Sequence, residues 1–127
     1  MKFCCLVFVL ALSFIVGCIS NTSGIVVEKG RMTIHNQRLA AHMELTHHLR
    51  RDTVTGFSHV QAVLHNTDYG DIQFQYRFEW YDKDGMLLEE TSPMWHTARI
   101  HGKDRKVLET VSENRLAADF RLVIRAL

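Results

Sequence analysis

Asp71-Ile72-Gln73-Phe74-Gln75-Tyr76-Arg77-Phe78-Glu79-Trp80-Tyr81 alternates without a break. Ile72, Phe74, Tyr76, Phe78 and Trp80 fall on one face; Gln73, Gln75, Arg77 and Glu79 fall on the other. Side chains of a strand point alternately to its two sides, so this stretch predicts a strand with one buried and one wet face. Asp82-Lys83-Asp84-Gly85 follows, and Asp-Gly supplies a tight turn that tolerates positive φ. Met86 to Glu90 reads as the returning strand.

Working outward, the same pattern recurs. Upstream, His59 to His65 alternates with Val60, Ala62 and Leu64 inward, and Asn66-Thr67-Asp68-Tyr69-Gly70 is a turn cluster. Downstream, Ser92-Pro93 breaks the chain, Trp95 to His101 forms a short strand, Gly102-Lys103-Asp104 turns it, and Arg105 to Val111 is the next strand. Ala118 to Leu127 places Ala118, Phe120, Leu122, Ile124 and Ala126 inward, with Asp119, Arg121, Val123 and Arg125 mostly outward. Met32 to Ile34 reads as a short edge strand. Leu39 to Leu49 fits a helix, with Leu39, Met43 and Leu49 on one side. It also fits a strand, with Ala41, Met43, Leu45 and His47 alternating against His42, Glu44 and Thr46; its strand neighbours favour the strand. Short strands at spacings of about 10 residues, joined by turn signals, predict an all-β sandwich or barrel.

The N-terminus speaks to location. Lys2 gives a positive start, Phe3 to Val16 is nearly all apolar, and Ile15-Val16-Gly17 precedes Cys18. A charged start, a short apolar stretch and a small residue before the cut define a secretory signal over residues 1–17. The stretch is shorter than the roughly 20 apolar residues of a membrane span. Ile-Val-Gly-Cys resembles a bacterial lipobox, in which Cys18 takes the lipid. Acyl chains on one residue give a stable membrane anchor. Residues 18–30 then read as lipidated cysteine and tether, and residues 31–127 as the folded domain. The other cysteines, Cys4 and Cys5, lie in the signal, so the mature domain has no thiol for a disulfide or a nucleophile. Position 19 is isoleucine rather than the aspartate that retains lipoproteins at the inner membrane. The expected address is therefore the periplasmic face of the outer membrane.

The string Gln75-Tyr76-Arg77-Phe78-Glu79-Trp80-Tyr81-Asp82-Lys83-Asp84-Gly85 resembles the signature of the YcfL family of small envelope lipoproteins. Cys18, Asn36 with Leu39-Ala40, Leu64-His65-Asn66-Thr67 and Ala118-Asp119-Phe120-Arg121 follow the same order. The resemblance implies an immunoglobulin-like antiparallel β-sandwich on a lipid anchor. It brings no catalytic residues.

Charge and motifs bound the chemistry. The chain has 15 Lys+Arg against 14 Asp+Glu, and one of the fifteen, Lys2, lies in the signal. A balanced domain has none of the basic surplus of a nucleic-acid binder. Eight histidines, His35, His42, His47, His48, His59, His65, His96 and His101, invite a metal reading, but none has a familiar ligand spacing. His59 and His65 share a strand face yet lie about 20 Å apart. Ser58 and His59 are adjacent and so face opposite ways, which is poor geometry for a nucleophile and its base. There is no Gly-x-Ser-x-Gly elbow. Glu89-Glu90, Glu109 and Glu113 read as solvated charge. Asp82, Asp84 and Gly85 lack the distant acid of a calcium loop and read as turn formers. The aromatic stripe reads as core, leaving Tyr81 and Trp95 as the interface residues. Arg50-Arg51 and Lys103 with Arg105-Lys106 are small basic spots.

The expectation is a non-enzymatic interaction or accessory module that needs no cofactor. It meets the membrane through its lipid anchor and an envelope protein or cell-wall component through its surface. The alternative is a small-ligand or metal-binding lipoprotein.

Overall fold

A computed structural model of the chain describes residues 26–88 and 94–127. The signal segment, Cys18 and the Glu89-Glu90 and Ser92-Pro93 pairs lie outside the described residues. The fold is all-β: β1 (Val27–Lys29), β2 (Met32–His35), a single helical turn α1 (Gln37–Ala41), β3 (Met43–Asp52), β4 (Ser58–Asn66), β5 (Ile72–Tyr81), β6 (Leu87–Leu88), β7 (His96–Ile100), β8 (Arg105–Val111) and β9 (Asp119–Ala126). Two sheets pack face to face. The larger, sheet A, has the order β1-β2-β9-β5-β6, with β7 also on β5; the smaller, sheet B, has the order β3-β4-β8.

β5 is the spine of sheet A. β9 runs antiparallel along one edge from Phe74↔Ala126 to Tyr81↔Asp119. β7 pairs with its first half and β6 with its last two residues, so both occupy the opposite edge. The alternation read from the sequence is the burial observed: Phe74, Phe78 and Trp80 are in the core, and Trp80 is 2 % exposed. In β4, Val60, Ala62 and Leu64 pack against this row, joined by Leu108 from β8 and by Leu122 and Ile124 from β9. Burying such side chains is worth roughly 1.5–3 kcal/mol each, which makes this interleaved layer the main source of stability.

The fold is sandwich-like in its two packed layers, with sheet B antiparallel, sheet A mixed and a strand order of its own. In immunoglobulin domains the last strand lies beside the one before it. Here β8 belongs to sheet B, and β9 inserts between β5 and β2. The β2–β9 pairing is parallel, Met32↔Leu122 to His35↔Arg125.

Three local readings change. Met32–Ile34 is not an edge strand, because β1 folds back over it through a two-residue turn with Gly30 at φ +59° and covers its free side. β1 itself falls within residues 18–30. The ambiguous segment divides in two. Asn36 accepts a bond from the Leu39 amide at 3.0 Å and caps α1, which ends at Ala41; β3 starts two residues later. Val123, expected to face out, does lie on the outer face, flanked by Thr33 and Arg77, yet is only 3 % exposed.

Candidate functional site

Two surfaces carry the polar and aromatic groups that the core does not use. The first is the outer face of sheet A. Arg77 and Glu79 point outward from β5, Arg121 and Arg125 from β9, and Glu28 and Thr33 from β1 and β2. Arg77 donates to Glu79 at 3.0 Å, and the Tyr81 hydroxyl donates to the other oxygen of Glu79, also at 3.0 Å. Arg121 donates to Thr33 at 3.0 Å and pairs with Glu28 at 3.3 Å. Trp95 lies over this face: the guanidinium carbons of Arg77 and Arg125 sit 4.7 and 3.9 Å from its ring centre. A guanidinium over an indole face is an attractive cation–π contact. The two residues singled out as interface candidates, Tyr81 and Trp95, therefore share one face and one chain of contacts. They do not touch, since Arg77 and Tyr81 are separated by about 13 Å of strand. Partial burial first, and then Glu79 as acceptor and negative neighbour, raise the Tyr81 hydroxyl above its ordinary pKa. It stays a neutral donor.

The second surface is an open cleft of about 1500 Å³ between the sheets, floored by Phe120 and bordered by the β1–β2 turn, β3 and the Asp82–Gly85 turn. Its shape comes from one irregularity. The β3–β4 register slips between Leu45↔Leu64 and His47↔Val63, so Thr46 is the extra residue of a β-bulge. A bulge re-aims the side chains beyond it. Strict alternation put His47 inward. Beyond the bulge it is His48 and Arg50 that lie opposite the buried Ala62 and Val60. His48 meets the Phe120 ring edge-on at 5.6 Å, and Arg50 donates to Ser58 at 2.9 Å and to Asp52 at 3.1 Å. Arg31 pairs with Asp119 and lies over Phe120 at 5.4 Å. Burial first, then the positive Arg31 and the neighbouring His47 ring, hold His48 below the usual imidazole range, so it is neutral at pH 7. Beyond Met43, which is buried, and Leu45, which is half-buried, β3 is exposed along its length. It borders sheet B with one backbone edge unpaired among the described residues.

With this geometry in view, the chain can be set beside known proteins. Residues 30–126 match the family described as "Protein of unknown function (DUF1425)". The chain belongs to the DUF1425 family. Among solved structures it is similar to a DUF1425 family member from Shewanella sp. pv-4, at 23 % identity and a TM-score of 0.61, covering 86 % of this chain and 94 % of that one. It is also similar to the Campylobacter jejuni protein cj0090, at 25 % identity and a TM-score of 0.58, covering 65 % of this chain and 85 % of that one. No curated protein matches it.

The remaining candidates in this DUF1425 domain lie apart from one another on separate strands and turns. Among the described residues, no three His, Cys, Asp or Glu side chains are grouped to hold a metal ion. The histidines are spread out: His59 contacts Glu109, His101 bonds Asp71 at 3.1 Å, and His96 stacks on Tyr76 at 5.4 Å. Ser58 is buried and donates to the Ala117 carbonyl at 2.7 Å, while His59 faces the other way. Asp82 accepts from the amides of Asp84 and Met86 at 2.9 and 3.0 Å, which makes it a turn former. Lys103 lies over Tyr69 at 4.3 Å. No helix of the described residues is long and apolar enough to cross a membrane. Sequence reasoning missed His48 and Arg50 as inward groups, because nothing local in Leu45-Thr46-His47 marks a bulge.

Proposed function

We propose that this DUF1425 chain is a YcfL-like lipoprotein, held at the periplasmic face of the outer membrane by acyl chains on Cys18. It acts there as a non-enzymatic interaction module of the cell envelope. The address rests on the Lys2-to-Gly17 signal and the Ile-Val-Gly-Cys lipobox. The observation that carries the activity is the unpaired edge of β3 alongside the inter-sheet cleft. An extended segment of a partner adds a strand to such an edge, and the edge's amides and carbonyls supply affinity for any sequence. The cleft wall then sets preference: Phe120 and Leu45 take apolar side chains, while Arg31, His48 and Arg50 take acceptors. Tethering restricts partners to those within reach of the membrane and raises their local concentration.

The test is in-cell photo-crosslinking from Thr46 and Leu49 of the full-length chain, with Val54 as a control outside the cleft and Cys18→Ser as the anchor control. One dominant envelope protein captured from the two β3 positions, and lost with Cys18→Ser, is the expected result. Capture that is equal from Val54 would refute an edge-strand mode. No capture from β3 in cells that retain the protein in the outer-membrane fraction would leave the cleft to a small ligand.

A further inference from the structure

The outer face of sheet A has a charge ledger that does not close. Arg121 pairs with Glu28, Arg77 with Glu79, Arg99 with Asp71 and Arg31 with Asp119. Arg125 has no carboxylate partner among the described residues; its Nε donates to the neutral Gln75 at 2.8 Å. Its guanidinium is held against Trp95. A guanidinium with no carboxylate partner among the described residues and an indole thus occupy one patch.

The patch sits where the chain leaves the fold toward its N-terminus. Val27 pairs with Ile34, and Ile34 with Ile124. Val26 is thus two strands from Arg125, about 10 Å at the usual strand spacing. Only seven residues lie between Cys18 and Val26, a reach of at most about 29 Å when fully extended. The anchor therefore lies within about 40 Å of Arg125, and the tether leaves from this end of sheet A. The cleft is at the opposite end of the sheet, since Tyr81 on its rim lies about 20 Å along β5 from Gln75.

We infer that the outer face of sheet A around Trp95 and Arg125 rests on the phospholipid surface of the membrane that holds the anchor. The inference builds on the lipoprotein reading. Indoles favour the boundary between headgroups and acyl chains, where one part of the ring is wet and the rest apolar. A planar guanidinium matches phosphate with two parallel hydrogen bonds. Arg77 is already paired with Glu79, whereas Arg125 meets no carboxylate among the described residues, so Arg125 is the group to take a lipid phosphate while it stays over the indole. The contact sets which way up the domain sits: Trp95 down, with the cleft and β3 facing away from the membrane toward partners.

The test uses the full-length lipidated protein in vesicles of phosphatidylethanolamine and phosphatidylglycerol whose acyl chains are brominated near the headgroup. Trp80 and Trp95 are the chain's two tryptophans, so the emission lost in Trp95→Phe reports Trp95. That component is expected to be quenched by about half or more. Quenching is expected to fall about twofold in Arg125→Gln with flotation unchanged, since the anchor still holds the vesicle. A protein that floats with Trp95 unquenched overturns the contact alone. A protein that does not float overturns the anchor and the contact together. Far-ultraviolet circular dichroism of both variants confirms that they are folded, so that lost quenching reads as lost contact.

Discussion

Asn66 shows how much one buried polar side chain decides. It is fully buried at the end of β4, and its amide donates to the carbonyls of Gly70, Ile100 and His101 at 2.8, 3.1 and 3.2 Å. Its side-chain oxygen accepts from the Asp68 amide at 2.9 Å. One residue thereby ties the β4–β5 turn to the end of β7. Asn66→Ala removes all four bonds and strands the buried Ile100 carbonyl, and we expect a loss of about 2–3 kcal/mol in denaturant unfolding. His48 behaves differently because its charge is the variable. Its folded-state pKa lies below the ordinary 6.5. The unfolded chain therefore takes up a proton first as the pH drops, and the stabilising contribution, present above about pH 6.5, is lost as pH falls through the lower folded value. His48→Phe keeps a ring against Phe120 and removes the titration. Its stability is expected to fall less than the wild type's between about pH 7.5 and 5.5, as read by urea unfolding at each pH.

At the scale of elements, the Thr46 bulge is the device that makes the cleft polar. Deleting Thr46 removes the extra residue and leaves a regular pair in which His47↔Val63, His48↔Ala62 and Arg50↔Val60 keep their partners, so His48 and Arg50 still face the cleft. The bond from Arg50 to Ser58 is then expected to persist. We expect both the deletion and Thr46→Val to cost under about 1 kcal/mol in urea unfolding, since each loses one exposed hydrogen bond to Val63 and neither changes the register beyond the bulge. The same element marks where the sequence stops being legible. β4, β5 and β9 were readable because a half-buried strand writes its burial into every second residue, as in Phe74-x-x-x-Phe78-x-Trp80, while β8 buries only Leu108 and was read from its flanking turns. The Asp82–Gly85 turn was readable because its geometry is satisfied by its own side chains. The division of 37–52 into a helical turn and a bulged strand was not. α1 turns on the Asn36 cap, and the bulge exists only in the pairing with β4. Of the site, Tyr81 and Trp95 were legible as aromatics outside the core pattern. His48 and Arg50 were not, since they become inward groups only through the bulge.

For the whole molecule, the first short strand matters out of proportion to its length. β1 covers the outer edge of β2, and Lys29 donates to the carbonyls of Ala40 and Met43, at 3.2 Å for the latter, joining sheet A to the start of β3. A chain started at residue 31 loses both. It is expected to unfold about 1–2 kcal/mol more easily than one started at residue 26, from the lost hydrogen bonds and the packing of Val27. It is also expected to self-associate in analytical ultracentrifugation, because an uncovered strand edge recruits another chain.

The parallel pairing of β2 with β9 also sets a timetable. β2 and β5 both border β9, so the centre of the large sheet is missing until Asp119–Ala126 joins. A chain produced from its N-terminus holds these two edges open until β9 has been made. The β3–β4 hairpin can form early, before the large sheet is joined. A product that stops before β9 leaves a gap between β2 and β5, two strand edges that can each recruit another chain.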